Sequence, residues 1–546
     1  MPRLNQRFMV FVLSIAVCAI SLISCSQYDA TKGAPIYNAE RDSEYMSCPD
    51  CVFKAKKASN IKQKKKYRNT SKSRTVASCI DCPAPYKNDK PDWCATTTTK
   101  RYGPRRGPLS KREMNMARVA WKYFQNNYNP ETGLVNAVNA YPSTTLWDTG
   151  SYLAAMVSAR ELGIIDKDEM DQRMQPMMRT FNTMDLFRNE MPNKAYNTKT
   201  GQKVNYANKP GEIGFSALDI GRILIWFAII KERYPEHANS IDRIMLRWNW
   251  CNVVDAQGTM FGAIVDSETK ETRYLQEGRL GYEEYAAKGF QLWGFDTTKA
   301  SLPEPYSRLE LYGIPVAYDT RDPRRLKAHN YVVNESYVLD HIELGWDDAN
   351  DFESAEDVYT DEITADFGHR VYAAQQGRYC ETGILTARTE HQLDKAPYFV
   401  YDTIYTDGYA WNTITESGEH VPQYAAVALK GALGMWAVWD SPYTDMLFDY
   451  ISGLYDPEKG FYEGVYENGT GLIKTWTANN NGIMLESLLY KVQGKLLVKG
   501  QGRGPWEQAL EDPFSGQKKC LPHFRCGAGT CAAGNSSLCT TGFCNN

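Results

Sequence analysis

Carboxylates recur beside aromatic residues or glycine at five places in this 546-residue chain: Trp147-Asp148, Gly211-Glu212, Tyr282-Glu283-Glu284-Tyr285, Asp361-Glu362 and Glu416-Ser417-Gly418-Glu419. Cleaving a glycosidic bond takes two carboxyl groups of different proton affinity, one to protonate the leaving oxygen and one to attack or to activate water. A helix start favours the ionised form, and an apolar or aromatic pocket favours the neutral one. Asp148 and Glu212 are therefore the candidate bases, and Glu283 and Glu284 the candidate acids. Each also has an ordinary role open to it, because an acidic residue in a first helical turn caps the helix or answers its dipole.

Sugar rings offer flat C–H faces to aromatic rings and hydroxyls to planar polar side chains, so a glycan cleft mixes the two. Trp147, Tyr282, Tyr206, Trp411 and Trp476, with Asn479 and Asn480, are the candidate substrate-binding residues. No P-loop, dinucleotide fingerprint or His-Glu-x-x-His is present, and the seven histidines are scattered, so the pattern calls for no cofactor and no metal. The acidic stretch 347–362 lacks the EF-hand register and reads as a solvated loop rather than a calcium site. With 62 basic against 65 acidic residues the net charge is -3, which leaves no footprint for nucleic acid.

The segments that must position these residues are helical. Nearly all-apolar runs at 147–162, 215–234, 282–293, 361–376, 421–439 and 477–493 read as buried inner helices. Amphipathic segments at 110–127, 167–184, 239–253, 331–342, 382–392 (the weakest) and 443–454 precede them as outer partners. The expected fold is all-α: an (α/α)6 toroid of six helical hairpins over 108–499, with Cys-rich N- and C-terminal extensions at 26–107 and 500–546. Links from outer to inner helices are long and the reverse links short, so one rim carries the elaboration, where long loops in a compact domain usually serve function.

Arg3 and Arg7 precede an apolar run that ends in Leu22-Ile23-Ser24-Cys25, which reads as a lipoprotein signal peptide (1–25) with Cys25 as the lipidated residue. Ser26 follows rather than Asp, so an exported protein anchored in the outer membrane by its lipid is expected. Cys48-x-x-Cys51 and Cys79-x-x-Cys82 imitate a zinc ribbon, but behind a lipobox the compartment oxidises thiols, and disulfides within small tail modules are the favoured reading. Only Cys251 and Cys380 lie in the body.

At Trp147-Asp-Thr-Gly-Ser-Tyr-Leu-Ala-Ala155, Phe215-Ser-Ala-Leu-Asp-Ile-Gly-Arg222, Gly281-Tyr-Glu-Glu-Tyr-Ala-Ala-Lys-Gly289 and Asn481-Gly-Ile-Met-Leu-Glu-Ser-Leu488, the chain resembles an uncharacterised family of exported bacterial proteins that accompany surface-polysaccharide genes. More distantly it is similar to α/α-toroid glycoside hydrolases, including β-1,2-glucanases and the glycoamylase-like domains of cyclic glucan synthases. The resemblance implies a glycan substrate and polysaccharide export or synthesis machinery as partners. It assigns no catalytic acid or base residue by residue. A glycoside hydrolase is the leading expectation; a non-catalytic glycan-binding or assembly protein and a polysaccharide lyase are the alternatives.

Overall fold

The computed structural model describes residues 90–266, 268–303, 305–326, 328–347, 362–498, 504–511 and 517–522, with the short paired strands Ser47–Cys48 and Cys51–Val52. Cys25, the signal sequence and Asp361 lie outside the described residues, as does the side chain of Glu362.

The first helix, α1 (Lys111–Asn127), begins at a capping box: the Ser110 hydroxyl accepts from the Glu113 backbone N–H, and the Glu113 carboxylate accepts from that of Ser110. There follow α2 (Leu146–Glu161), α3 (Lys167–Thr183), α4 (Ala217–Arg233), α5 (Ala238–Arg247) and α6 (Tyr282–Gln291). Then come α7 (Glu335–Leu339), which continues as the π-helical turn Asp340–Leu344, α8 (Glu362–Thr382), α9 (Leu429–Val438), α10 (Pro442–Ile451), α11 (Ala478–Gln493) and α12 (Pro505–Glu511).

Six of these helices pack in a closed cycle: α2 on α4, α4 on α6, α6 on α7, α7 on α9, α9 on α11, and α11 back on α2. Their composition explains the arrangement. In α4 every residue from Ile220 to Ile230 is buried, as a helix enclosed on all sides requires. Glycines set the approach of the backbones: a side chain at Gly482 of α11 would place its Cβ 2.6 Å from the carbonyl oxygen of Ser151 in α2. The helices α1, α3, α5, α8 and α10 pack outside the cycle.

The structure corrects three of the expected elements. The segment at 331–342, expected outside, supplies α7 to the cycle, whereas 361–376, expected inside, belongs to α8 and packs on the outer side of α7. No helix forms at 382–392; α8 ends at Thr382, and the chain runs extended into the strand His391–Gln392. The chain is also not all-α. The long links fold into antiparallel ribbons, among them β1 (Ser143–Thr145) with β2 (Ala195–Asn197), β3 (Phe261–Val265) with β4 (Thr272–Gln276), and β5 (Tyr306–Leu311) with β6 (Ile314–Asp319). The last pair turns on Tyr312-Gly313, both with positive φ (53° and 78°), the backbone a two-residue hairpin demands.

Each helix of the cycle is nevertheless entered through a long link, at 128–145, 184–216, 248–281, 292–334, 383–428 and 452–477. Their N-termini therefore open on the elaborated side.

The ends of the described chain are sewn to the body. Cys94 pairs with Cys380 at the end of α8, and Cys251 with Cys520, so these two tail cysteines bond across to the two body cysteines rather than within their own segments. Trp506 of α12 is buried against Trp250, Trp293 and Phe295. Among the described residues no helix is long and apolar enough to cross a membrane.

Candidate active site

Glu335, the first residue of α7, is where the six helices meet. Its buried carboxylate accepts from the Trp147 indole N–H of α2 at 3.2 Å and from the Asn479 amide of α11 at 3.0 Å, and it pairs with the Lys430 ammonium of α9 at 2.6 Å. The Thr389 hydroxyl donates to it at 3.2 Å. Asn479 in turn accepts from Ser151 of α2 and from Arg222 of α4. The Arg222 guanidinium lies 4.6 Å over the Trp147 ring, and Tyr282 of α6 packs edge-on against that ring at 5.4 Å. Burial pushes the Glu335 carboxyl up, but Lys430 and Arg222, with the hydrogen bonds from Asn479 and Lys430, outweigh it and hold the group below the usual glutamate value.

Three carboxyls beside this centre behave oppositely, and all three are partly exposed. Glu390, in the extended chain after α8, accepts from the Tyr282 hydroxyl at 2.6 Å. Burial and the neighbouring charge of Glu335 push it up to about 7, against the pull of Lys430 and Tyr282. Asp219, in the first turn of α4, is also pushed up to about 7, by burial and then by Glu277, whose carboxylate caps the Ala217 N–H. Asp148, in the first turn of α2, is raised by burial, while the Thr145 hydroxyl, Lys430 and Arg222 restrain it. Tyr206, 58% exposed, lies within electrostatic reach of Asp219, Glu277 and Glu416.

Beneath Arg222 a second carboxyl pair fills the interior. Glu343 accepts from the Trp226 indole and the Tyr285 hydroxyl, at 2.9 and 2.5 Å. Glu486 lies 3.4 Å from Arg222, and burial followed by the charge of Glu343 pushes Glu486 far above the usual glutamate value. One guanidinium thus faces two buried carboxyls, a floor that holds Arg222 against the Trp147 ring.

Of the residues expected from sequence, Asp148, Trp147, Tyr282 and Asn479 come together around Glu335, and Tyr206 lies within electrostatic reach of Asp219. Glu283 is committed elsewhere: it is buried, bonded to Arg321 and to Gln276. Glu284 caps its own helix through the Gly281 N–H. Glu212 lies outside the cluster. Burial nudges it up, but its hydrogen bonds with Lys203 and the Arg188 N–H prevail and lower it, an ion pair on the side of the loop. Asn480 staples backbone, accepting from the Lys430 N–H and donating to the carbonyls of Phe461 and Tyr462. Trp476 packs tilted against Tyr462 under Lys459, and Trp411 packs on Tyr312 and Arg378 in a separate core.

Glu335, Lys430, Glu390 and Asp219 were missed by sequence reasoning. For Asp219 a signal exists: Ser216-x-x-Asp219 repeats the Thr145-x-x-Asp148 helix start, with the hydroxyl of each cap accepting from the backbone N–H three residues on. Glu390 carries no such mark, because it stands in irregular chain.

Residues 115–494 match the profile of a family described as a protein of unknown function, DUF3131. No curated protein sequence matches. Solved structures of similar fold include a glucoamylase candidate from Bacteroides caccae (12% identity, TM-score 0.52, covering 71% of this chain and 94% of that one). A second glucoamylase candidate, from Bacteroides fragilis, matches at 13% identity and TM-score 0.51, covering 74% and 96%. The endo-β-1,2-glucanase of Chitinophaga pinensis, in complex with sophorotriose and glucose, matches at 12% identity and TM-score 0.50, covering 73% and 97%. At such identity the likeness concerns the fold.

Proposed function

The chain belongs to the DUF3131 family, and from that premise we propose that it is a glycoside hydrolase of the cell envelope, with Glu390 as general acid and Asp148 as base or nucleophile. The closed cycle of six helices with helices outside it is read as an (α/α)6 toroid, in which the mouth of the ring holds the substrate. The observation that supports the reading most is the juxtaposition of two raised carboxyls on partly exposed residues, Glu390 and Asp148, about the Glu335–Lys430 pair, with the Trp147 ring between helices.

The environments divide the labour. Glu390, held near 7, keeps its proton long enough to pass it to the leaving glycosidic oxygen. Burial raises Asp148 as well, but the Thr145 hydroxyl, Lys430 and Arg222 oppose that rise, and the ionised form they favour is the one that takes a proton from water or attacks the sugar carbon. Glu335 and Lys430 are positioning groups: the first raises Glu390 by its charge, and the second balances it. Trp147, Tyr206 and Tyr282 supply aromatic faces for sugar rings, and Asp219 lies at the same opening as a further candidate acid. The fold shared with the Chitinophaga pinensis enzyme makes β-1,2-glucan the first substrate to try.

The lipobox motif supports export and attachment through Cys25 to the outer membrane, beside polysaccharide export or synthesis machinery. To test the activity, purified full-length chain is incubated with β-1,2-glucan and a panel of envelope polysaccharides, and new reducing ends are read by mass spectrometry. Cleavage lost in Asp148→Asn and in Glu390→Gln supports the assignment. A glycan that raises the melting temperature without being cut replaces it with a binding protein, and an ultraviolet-absorbing unsaturated product replaces it with a lyase.

A further inference from the structure

The far end of α4 carries a different cluster. The helix is 17 residues long, which sets about 25 Å between its two ends, so this cluster is remote from Asp219 and the ring mouth. There the short turn Pro235–His237 joins α4 to α5 and meets the first turns of α3. Three side chains that ligate metals converge: Asp171 of α3 with Glu236 and His237 of the turn, their donor atoms all within 4.8 Å of one another.

We propose that Asp171, Glu236 and His237 form a binding site for a divalent cation of zinc type, with water completing the coordination. Carboxylates alone would not carry this, since two acidic groups near a lysine are common on any surface. The second observation is His237. It is 8% exposed, and its Nε2 is buried without a hydrogen-bond partner although it stands 3.3 Å from Asp171 Oδ1. Donors about 2.0–2.1 Å from a tetrahedral ion are separated by about 3.3 Å, so the imidazole and the carboxylate already hold the spacing of two corners of such a site. One imidazole and two carboxylates suit zinc better than calcium, which takes about six to eight oxygens.

Lys167 occupies the other side of the cluster, its ammonium 2.6 Å from Asp171 and 3.2 Å from Glu236. Its side chain is 57% exposed, so it can swing into water as an incoming cation takes over the two carboxylates. The ion would then clamp the start of α3 to the α4–α5 turn in place of a solvated ion pair.

Full-length chain freed of metal by chelator, with its disulfides intact, is titrated with Co2+ and then with Zn2+. Tetrahedral Co2+ on nitrogen and oxygen ligands gives visible absorption without the near-ultraviolet charge-transfer band of thiolate-bound Co2+, so metal taken up by the cysteine-rich ends is told apart. The expected result is one nitrogen- and oxygen-ligated Co2+, displaced by Zn2+, lost in His237→Gln and in Asp171→Asn, and bound about tenfold more tightly in Lys167→Met, which removes the competing charge. The same Co2+ spectrum and affinity in His237→Gln as in wild type overturns the proposal, as does the absence of any such spectrum in both wild type and Lys167→Met. Should His237→Gln fail to fold, Lys167→Met decides, and unchanged affinity there overturns the site.

Discussion

Two buried charge clusters of this protein look alike in composition and differ in what they leave undone. In the one between α8 and the 464–467 strand end, Glu467 is gripped by two arginines: Arg378 at 2.7 and 2.8 Å, and Arg388 at 3.0 and 2.8 Å. Arg388 also pairs with Asp402, which accepts from Thr413 as well. Burial raises Glu467, but the arginines prevail and hold it low. Asp402, raised to about 6 by burial, is sealed from solvent. In the ring mouth Lys430 and Arg222 hold Glu335 low, but at Glu390, Asp148 and Asp219, residues that remain partly exposed, burial prevails over the nearby positive charges. Density of charge therefore does not mark a reacting centre. Raised carboxyls on partly exposed residues are the better candidates.

Substitutions in the two clusters are expected to have opposite consequences. The largest expected effect is in the mouth: Glu390→Gln lowers kcat by about 10²–10⁴-fold, the usual worth of a general acid, with little change in melting temperature. In the sealed network the consequence is reversed. Arg388→Met strips Asp402 of its arginine and leaves Glu467 to Arg378 alone, and costs about 3–5 kcal/mol of stability in denaturant unfolding, while turnover per folded molecule is unchanged. Trp147→Ala removes a sugar-stacking face and weakens glycan binding by about tenfold, measured by calorimetry.

The smallest effect is one of pH. Because the folded-state affinity of Asp219 for a proton is raised, its contribution to stability is complete below the ordinary aspartate range and is lost as pH rises through about 7. Asp219→Asn is thus expected to flatten the decline of stability across that window, in melting curves taken at a series of pH values. An unaltered decline removes Asp219 from the group of strained carboxyls.

Much of this was legible before the fold was known. The nearly all-apolar runs at 147–162, 215–234, 282–293 and 477–493 announce inner helices, and the unequal lengths of the links point to the rim that carries Asp148, Trp147, Tyr282 and Asn479. What was not legible has a common cause. The segment 331–342 contains Glu335, Asp340 and His341, so it reads as an amphipathic outer helix; yet these groups are buried, with Asp340 paired to Lys288 and Glu335 to Lys430, and the segment lies inside the ring. A pattern of polarity cannot distinguish a charge facing water from one facing its partner across the core. The same blindness hid Lys430 within an apolar run and Glu390 within a link, where no helix start draws attention to it. It also favoured Glu283 and Glu284, whose position beside aromatics is genuine but whose carboxylates serve Arg321 and the Gly281 N–H.

The account turns on Glu390 acting as an acid tuned by its surroundings, and the pH dependence of kcat on the first glycan found to be cut tests it most directly. The wild-type rate is predicted to fall as pH rises through about 7, as Glu390 loses its proton, and the residual turnover of Glu390→Gln to show no fall there. A limb at the same pH that persists in Glu390→Gln would contradict the assignment and move the proton donor to another group at the mouth, with Asp219 the next to be tested.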